Sequence, residues 1–109
     1  MPGEQTQGLA CNLSAVTPEQ SRRYGAIREQ LRERLDHIEE LADGYALRFA
    51  YDPILFVAAA EFVTFESLCC PFFKLVLERE SHDAAMRLCI TGPDGSKSFI
   101  IEILGQPSE

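Results

Sequence analysis

The residues best suited to chemistry fall in one stretch, Glu66-Ser-Leu-Cys69-Cys70-Pro71-Phe72-Phe73, where an apolar run rich in Ala and Phe stops at a proline. Two adjacent thiols stand at that stop, a carboxylate lies one turn before them, and a third cysteine, Cys11, lies near the N-terminus. Cys11, Cys69 and Cys70 with no evident fourth ligand form a soft, three-sulfur donor set. Such a set suits trigonal mercury, lead or arsenic(III), or copper(I) in two- or three-coordination. Zinc suits it less well, because structural zinc takes four ligands and usually shows C-x₂-C spacing, which this chain lacks. Glu66 is placed to add an oxygen ligand or to act as a base beside the site.

Position along the chain separates metal binding from redox catalysis. Activated thiolates usually sit at helix N-termini, where the helix dipole stabilises the anion. The pattern around Cys69 and Cys70 instead predicts a helix C-terminus, with Glu66 adding negative charge. That setting raises a thiol pKa and favours a cation, and a bound divalent ion deprotonates the thiols outright. Neighbouring side chains on a helix point about 100° apart, so two adjacent thiols converge poorly while both stay helical. Pro71 pushes the residue before it into extended geometry and so redirects one of them. A disulfide between the two neighbours needs a small strained ring and an oxidising setting. Two other readings stay open: Cys69 and Cys70 as small buried apolar groups at a helix–strand corner, and redox chemistry, although no C-x-x-C is present.

Length and charge bound the alternatives. At 109 residues the chain suits one domain with a real core. Its net charge of −7 argues against a nucleic-acid partner, which selects a basic face. No apolar run is long enough to span a membrane. Residues 1–10 lack the basic and apolar regions of a secretory signal, so a cytoplasmic location is expected, where thiols stay reduced. Four cysteines there read as metal ligands, redox groups or core fillers rather than a disulfide framework.

The elements that must position the thiols follow from capping and periodicity. Residues 1–10 are expected to be disordered, 11–105 to form one α+β domain, and 106–109 to be a disordered tail. Thr17-Pro18-Glu19-Gln20 predicts a helix start with a capping box, continued by an apolar stripe through Tyr24, Ile27 and Leu31. Five of the ten basic residues, Arg22, Arg23, Arg28, Arg32 and Arg34, lie on its other faces, a solvated surface on which glutamates can pair with them. His37 to Phe49 reads as a hairpin turning at Asp43-Gly44, with Tyr45, Leu47 and Phe49 alternating onto one face. Asp52-Pro53 opens a second helix, Ile54 to about Cys69, apolar around most of its circumference and so expected to be central and buried.

Beyond Pro71, Phe73 to Glu80 and Ala85 to Ile90 alternate as a second hairpin about Ser81-His82-Asp83. Thr91-Gly-Pro-Asp-Gly95 breaks the chain; it lacks the spacing and lysine of a phosphate loop and reads as a turn. Ser96 to Leu104 favours a short helix by the spacing of Phe99, Ile100, Ile103 and Leu104. The order αββαββα assembles naturally as a four-stranded antiparallel sheet with helices packed on one face, a helix-plus-hairpin unit occurring twice. The opposite face would carry Ala46, Arg48, Val76, Arg87 and Cys89, a mixed surface able to meet a second subunit. Cys89 there reads as a packing or interface residue, and His37 and His82 read as solvent-facing.

The Cys11-Asn12-Leu13 start, Asp43-Gly44-Tyr45 with Arg48-Phe49, the Glu66-x-x-Cys69-Cys70-Pro71-Phe72 block and the Thr91-Gly-Pro-Asp-Gly95 loop together resemble a family of small, uncharacterised bacterial cytosolic proteins associated with heavy-metal resistance gene neighbourhoods. The resemblance covers Cys11 to Leu104 and implies metal handling, carried by Cys11, Cys69 and Cys70. The expectation is therefore a cytoplasmic protein binding a soft metal or metalloid ion as a buffer, carrier or resistance accessory. A homodimeric interaction module whose cysteines only pack is the alternative. A third reading is a small thiol enzyme acting on an organometal, with Glu66 as proton donor. With no hydrolytic triad or nucleotide loop, an enzyme is the less favoured class.

Overall fold

Two capping signals start the helices that frame the site. Thr17 accepts a hydrogen bond from the backbone N–H of Gln20 at 3.1 Å, and the Gln20 side chain accepts one from Thr17 N–H at 2.8 Å. This closed capping box, with proline in the first turn, opens α1 (Pro18–Arg34). Asp52 caps α2 (Pro53–Cys69) with a single bond, accepting from Leu55 N–H at 2.9 Å, again with proline in the first turn. The computed structural model describes residues 16–79 and 84–104. The expectations for residues 1–10, for Cys11, for the turn containing His82 and for the tail at 106–109 lie outside them.

Between and after these helices run β1 (Leu35–Leu41), β2 (Gly44–Ala50), β3 (Lys74–Arg79), β4 (Ala85–Thr91) and α3 (Ser96–Leu104). The strands form one antiparallel sheet in the order β1-β2-β4-β3, so each hairpin contributes one inner and one edge strand. The predicted α+β order αββαββα is the observed one. Leu47 pairs with Leu88 and Phe49 with Met86, and this alternating set turns toward the helices with Ile90. Ile27 and Leu31 of α1, Leu55, Ala59 and Phe62 of α2 and Ile100 of α3 close the core over it. The other sheet face carries Ala46, Cys89 and Val76 in one cross-strand row and Arg48, Arg87 and Glu78 in the next.

Two details differ from the sequence reading. The hairpin turn is Ala42–Asp43, and Gly44 is already a strand residue, paired with Leu41 on one side and Thr91 on the other. A side chain there would run into the Ile90 carbonyl and stand 2.7 Å from Thr91 Cα. Its glycine is thus required by close approach of β4 rather than by turn geometry. Also, α2 is not buried all round. Leu55, Ala58, Ala59, Phe62 and Phe65 face the core, whereas Ile54 is 73% and Val57 67% exposed. A single helix laid on a sheet beside α1 has one side left for solvent, whatever its composition.

Candidate functional site

Helix α2 ends where the apolar run meets Pro71. Cys69 is its last residue, and Cys70 leaves helical geometry at φ −129° and ψ 73° while its N–H still donates to the Glu66 carbonyl at 2.7 Å. The proline therefore has the local effect expected, turning the second cysteine out of register. Cys70 is 2% exposed within the core, and Cys69 is half-buried. Both line a cavity of about 150 Å³ between the end of α2 and the start of α1, together with Glu66, Tyr24, Arg28 and Ser21.

Glu66 is the unusual member. It faces inward from α2 and is only 1% exposed. The Tyr24 hydroxyl of α1 donates a hydrogen bond to Oε2, while Oε1 is buried with no hydrogen-bond partner among the described residues. Tyr24 is itself fixed by its ring: it stacks on Phe62 at 5.7 Å and meets Phe65 edge-on at 6.0 Å, and the Arg28 guanidinium lies 5.7 Å from its centroid. Burial pushes the Glu66 carboxyl up from the usual carboxylate range, and the Tyr24 hydrogen bond and the Arg28 charge only partly offset it. Burial, then the charge and hydrogen bond of Glu66, push the Tyr24 phenol well above its ordinary value. The Cys69 thiol is also raised, first by burial and then by Glu66. The sequence reading expects that direction from the helix dipole; desolvation leads instead.

The cysteines divide into two kinds. Cys69 and Cys89 are free thiols, whereas Cys70 is disulfide-bonded. The expectation that all four would be reduced does not hold for Cys70, whose sulfur is turned into the protein interior by the break after Cys69. With Cys69 free, that bond is not the strained vicinal one. Cys11 lies outside the described residues. Among the described residues, no three His, Cys, Asp or Glu side chains are already arranged to hold a metal ion. Glu66, Cys69 and Cys70 share a cavity without forming a preassembled centre.

The remaining sequence candidates lie elsewhere. Cys89 sits mid-strand on the open sheet face, where Arg87 Nη2 donates to its Sγ at 3.5 Å. His37 is exposed on β1. The Thr91–Gly95 loop borders a second cavity of about 360 Å³ at the start of α3, with Asp43, Asp94 and Lys97 in its wall. Its lysine is paired to Glu40 at 2.6 Å, so the charge there is mixed and partly neutralised. No described helix is long and apolar enough to cross a membrane.

Tyr24 is the cavity neighbour that sequence reasoning missed. The apolar stripe of α1 accounts for its ring and says nothing of its hydroxyl. A buried tyrosine hydroxyl and a lone glutamate in an apolar run each need a partner, and that shared need was the available signal. No protein-family profile matches the chain, and neither the curated proteins nor the solved structures contain a match. What the site does is therefore argued from its own chemistry.

Proposed function

We propose that the cavity at the end of α2 binds a soft metal or metalloid ion through the sulfurs of Cys69 and Cys70, with Glu66 as its oxygen partner, and that the protein serves as a buffer, carrier or resistance accessory in a reducing, cytoplasmic setting. The observation that carries this reading is the Oε1 atom of Glu66, buried without a hydrogen-bond partner, on a residue that lines the same cavity as both cysteines. A buried carboxylate oxygen in a native structure is usually completed by a protein group, an ordered water, a ligand or an ion. Two sulfurs and one oxygen beside it make a mixed, soft-leaning donor set.

Loading requires the bond at Cys70 to open. A dithiol reductant supplies two electrons and two protons, converting the protein disulfide to two thiols and closing to its own disulfide. Cys70 then joins Cys69 as a donor, and ion binding displaces the thiol protons. Disulfide closure would in turn withdraw one donor and weaken the site. Cys11 remains a further sulfur donor on the sequence reading, and binding by Cys69, Cys70 and Glu66 does not require it.

Native mass spectrometry of the reduced chain with mercuric, cuprous, lead, zinc and arsenite species tests the reading. One ion per chain is expected with at least one soft species, and none when Cys69 and Cys70 are both serine. Unchanged stoichiometry in that double variant would sink it.

A further inference from the structure

The outward face of α2 is largely apolar and exposed, and we infer that the same face of a second copy of this chain covers it, the two α2 helices running antiparallel. Ile54 and Val57 stand exposed at one end of this face and Leu68 at the other, with Glu61 and Thr64 between them. These five residues follow one another at alternating intervals of three and four, the a and d spacing by which one helix seats its side chains between those of another. The core contacts of α2 are made from its other side, by Leu55, Ala58, Phe62 and Phe65. The exposed residues are therefore a second stripe and not the margin of the buried one. A groove lies at the Ile54 end, with Arg23 and Gln30 of α1 and Ile54 and Val57 of α2 in its wall. Antiparallel pairing sets the Leu68 of each copy against Ile54 and Val57 of the other, so one contact is made twice about a two-fold axis. Parallel pairing would set Glu61 against Glu61 and leave both grooves unfilled.

Charge selects the same surface. The chain carries a net charge of −7, so two copies approach most readily where no acid stands unpaired. On this face the one acid, Glu61, is held by Arg23 through two hydrogen bonds of 2.9 and 3.1 Å. In the antiparallel pair both Arg23–Glu61 pairs fall near the two-fold axis, where the arginine of one copy stands close to the acid of the other. The hydroxyls are satisfied as well: Thr64 donates to the Ala60 carbonyl at 3.1 Å and Ser67 to that of Val63 at 2.8 Å. Water can therefore leave the face without stranding these donors. The helix has 17 residues and so spans about 25 Å, and α1 lies beside it at an interaxial spacing of about 10 Å. A footprint of roughly 25 by 20 Å on each copy is smaller than the standard interface of about 800 Å² per partner, so the dimer is a reversible one.

Sedimentation velocity of the full, reduced chain from micromolar to millimolar concentration is the test. A monomer–dimer equilibrium is expected. Its affinity should fall at least tenfold in Val57→Glu and in Leu68→Glu and stay unchanged in Val76→Glu, which places the same charge on the open sheet face. All three positions are exposed, so the variants should keep the native circular dichroism spectrum. Oxidation of the double variant Val57→Cys, Leu68→Cys reads the orientation. Positions 57 and 68 of one helix stand about 16 Å apart, too far for a disulfide within the chain. A covalent dimer joined from position 57 to position 68 is expected, and one joined only 57 to 57 or 68 to 68 overturns the inference. A chain that stays monomeric at millimolar concentration overturns it too, leaving the face to a different occupant. A dimer dissolved by Val76→Glu but not by Val57→Glu also overturns it and moves the interface to the sheet.

Discussion

The Tyr24 hydroxyl donates to the Glu66 carboxylate across 42 positions of chain, joining the middle of α1 to the last turn of α2 inside the apolar core. Each residue answers a difficulty the other creates. The tyrosine hydroxyl would otherwise be half-buried without an acceptor, and the carboxylate would face the core with neither oxygen paired. The pair leaves one oxygen over, buried without a hydrogen-bond partner, on a residue that lines a cavity with Cys69 and Cys70.

A buried carboxyl makes stability depend on pH in a set direction. The Glu66 pKa is raised in the folded chain above the value near 4.5 of an unfolded glutamate. Folding therefore favours its protonated form: that contribution is complete below about pH 4.5 and is lost as pH rises through the folded value. Glu66→Gln removes this dependence while retaining an acceptor for Tyr24. Urea denaturation from pH 5 to 8 should show the native chain losing stability relative to the variant, with a slope of at most about 1.4 kcal/mol per pH unit. Parallel stability curves would contradict the buried-acid account.

Removing only the hydroxyl of Tyr24 tests the pair from the other side. Tyr24→Phe keeps the stack on Phe62 but leaves both Glu66 oxygens without a partner. A loss of about 1–3 kcal/mol in urea denaturation is expected. The Glu66 pKa should rise further, because the tyrosine hydrogen bond acts to lower it. A neutral substitution would show that the hydroxyl does not support Glu66.

Much of the fold was legible because its signals are local. Thr17-Pro18 and Asp52-Pro53 mark helix starts through bonds made within one turn. Alternation of Leu47 and Phe49, and of Met86, Leu88 and Ile90, assigns strand faces without knowledge of the partner strands. What escaped depends on distant neighbours. Gly44 looked like a turn glycine because its true constraint, the Ile90 carbonyl, lies on another hairpin. Ile54 and Val57 looked buried because composition cannot say which side of α2 meets α1. At the site, Glu66 and the two cysteines were visible as neighbours in sequence, and the effect of Pro71 on Cys70 followed from backbone sterics. The burial of Glu66, its link to Tyr24 and the disulfide at Cys70 are all products of long-range packing.

Two glycines separate close approach from propensity. Gly44→Ala places a methyl group against the Ile90 carbonyl and forces β2 from β4. A destabilisation of about 3 kcal/mol is expected, the upper end for overpacking. Gly25 lies in α1 with nothing within 4 Å of an added Cβ. Gly25→Ala should stabilise by about 0.5–1 kcal/mol through helix propensity alone. Thermal denaturation of the two variants checks both signs, and a tolerated alanine at 44 would contradict the strand packing described.

The most direct measurement of the central claim is alkylation footprinting of the reduced chain, read cysteine by cysteine from peptide masses, with and without one equivalent of arsenite. Cys89 lies on the opposite sheet face and serves as an internal reference. The account predicts that the ion slows modification of Cys69 and Cys70 together at least tenfold, the effect of an affinity gain of about 1.4 kcal/mol or more, while Cys89 reacts at an unchanged rate. Cys69 and Cys70 reacting at the same rate with and without arsenite, mercuric or cuprous ion would contradict it.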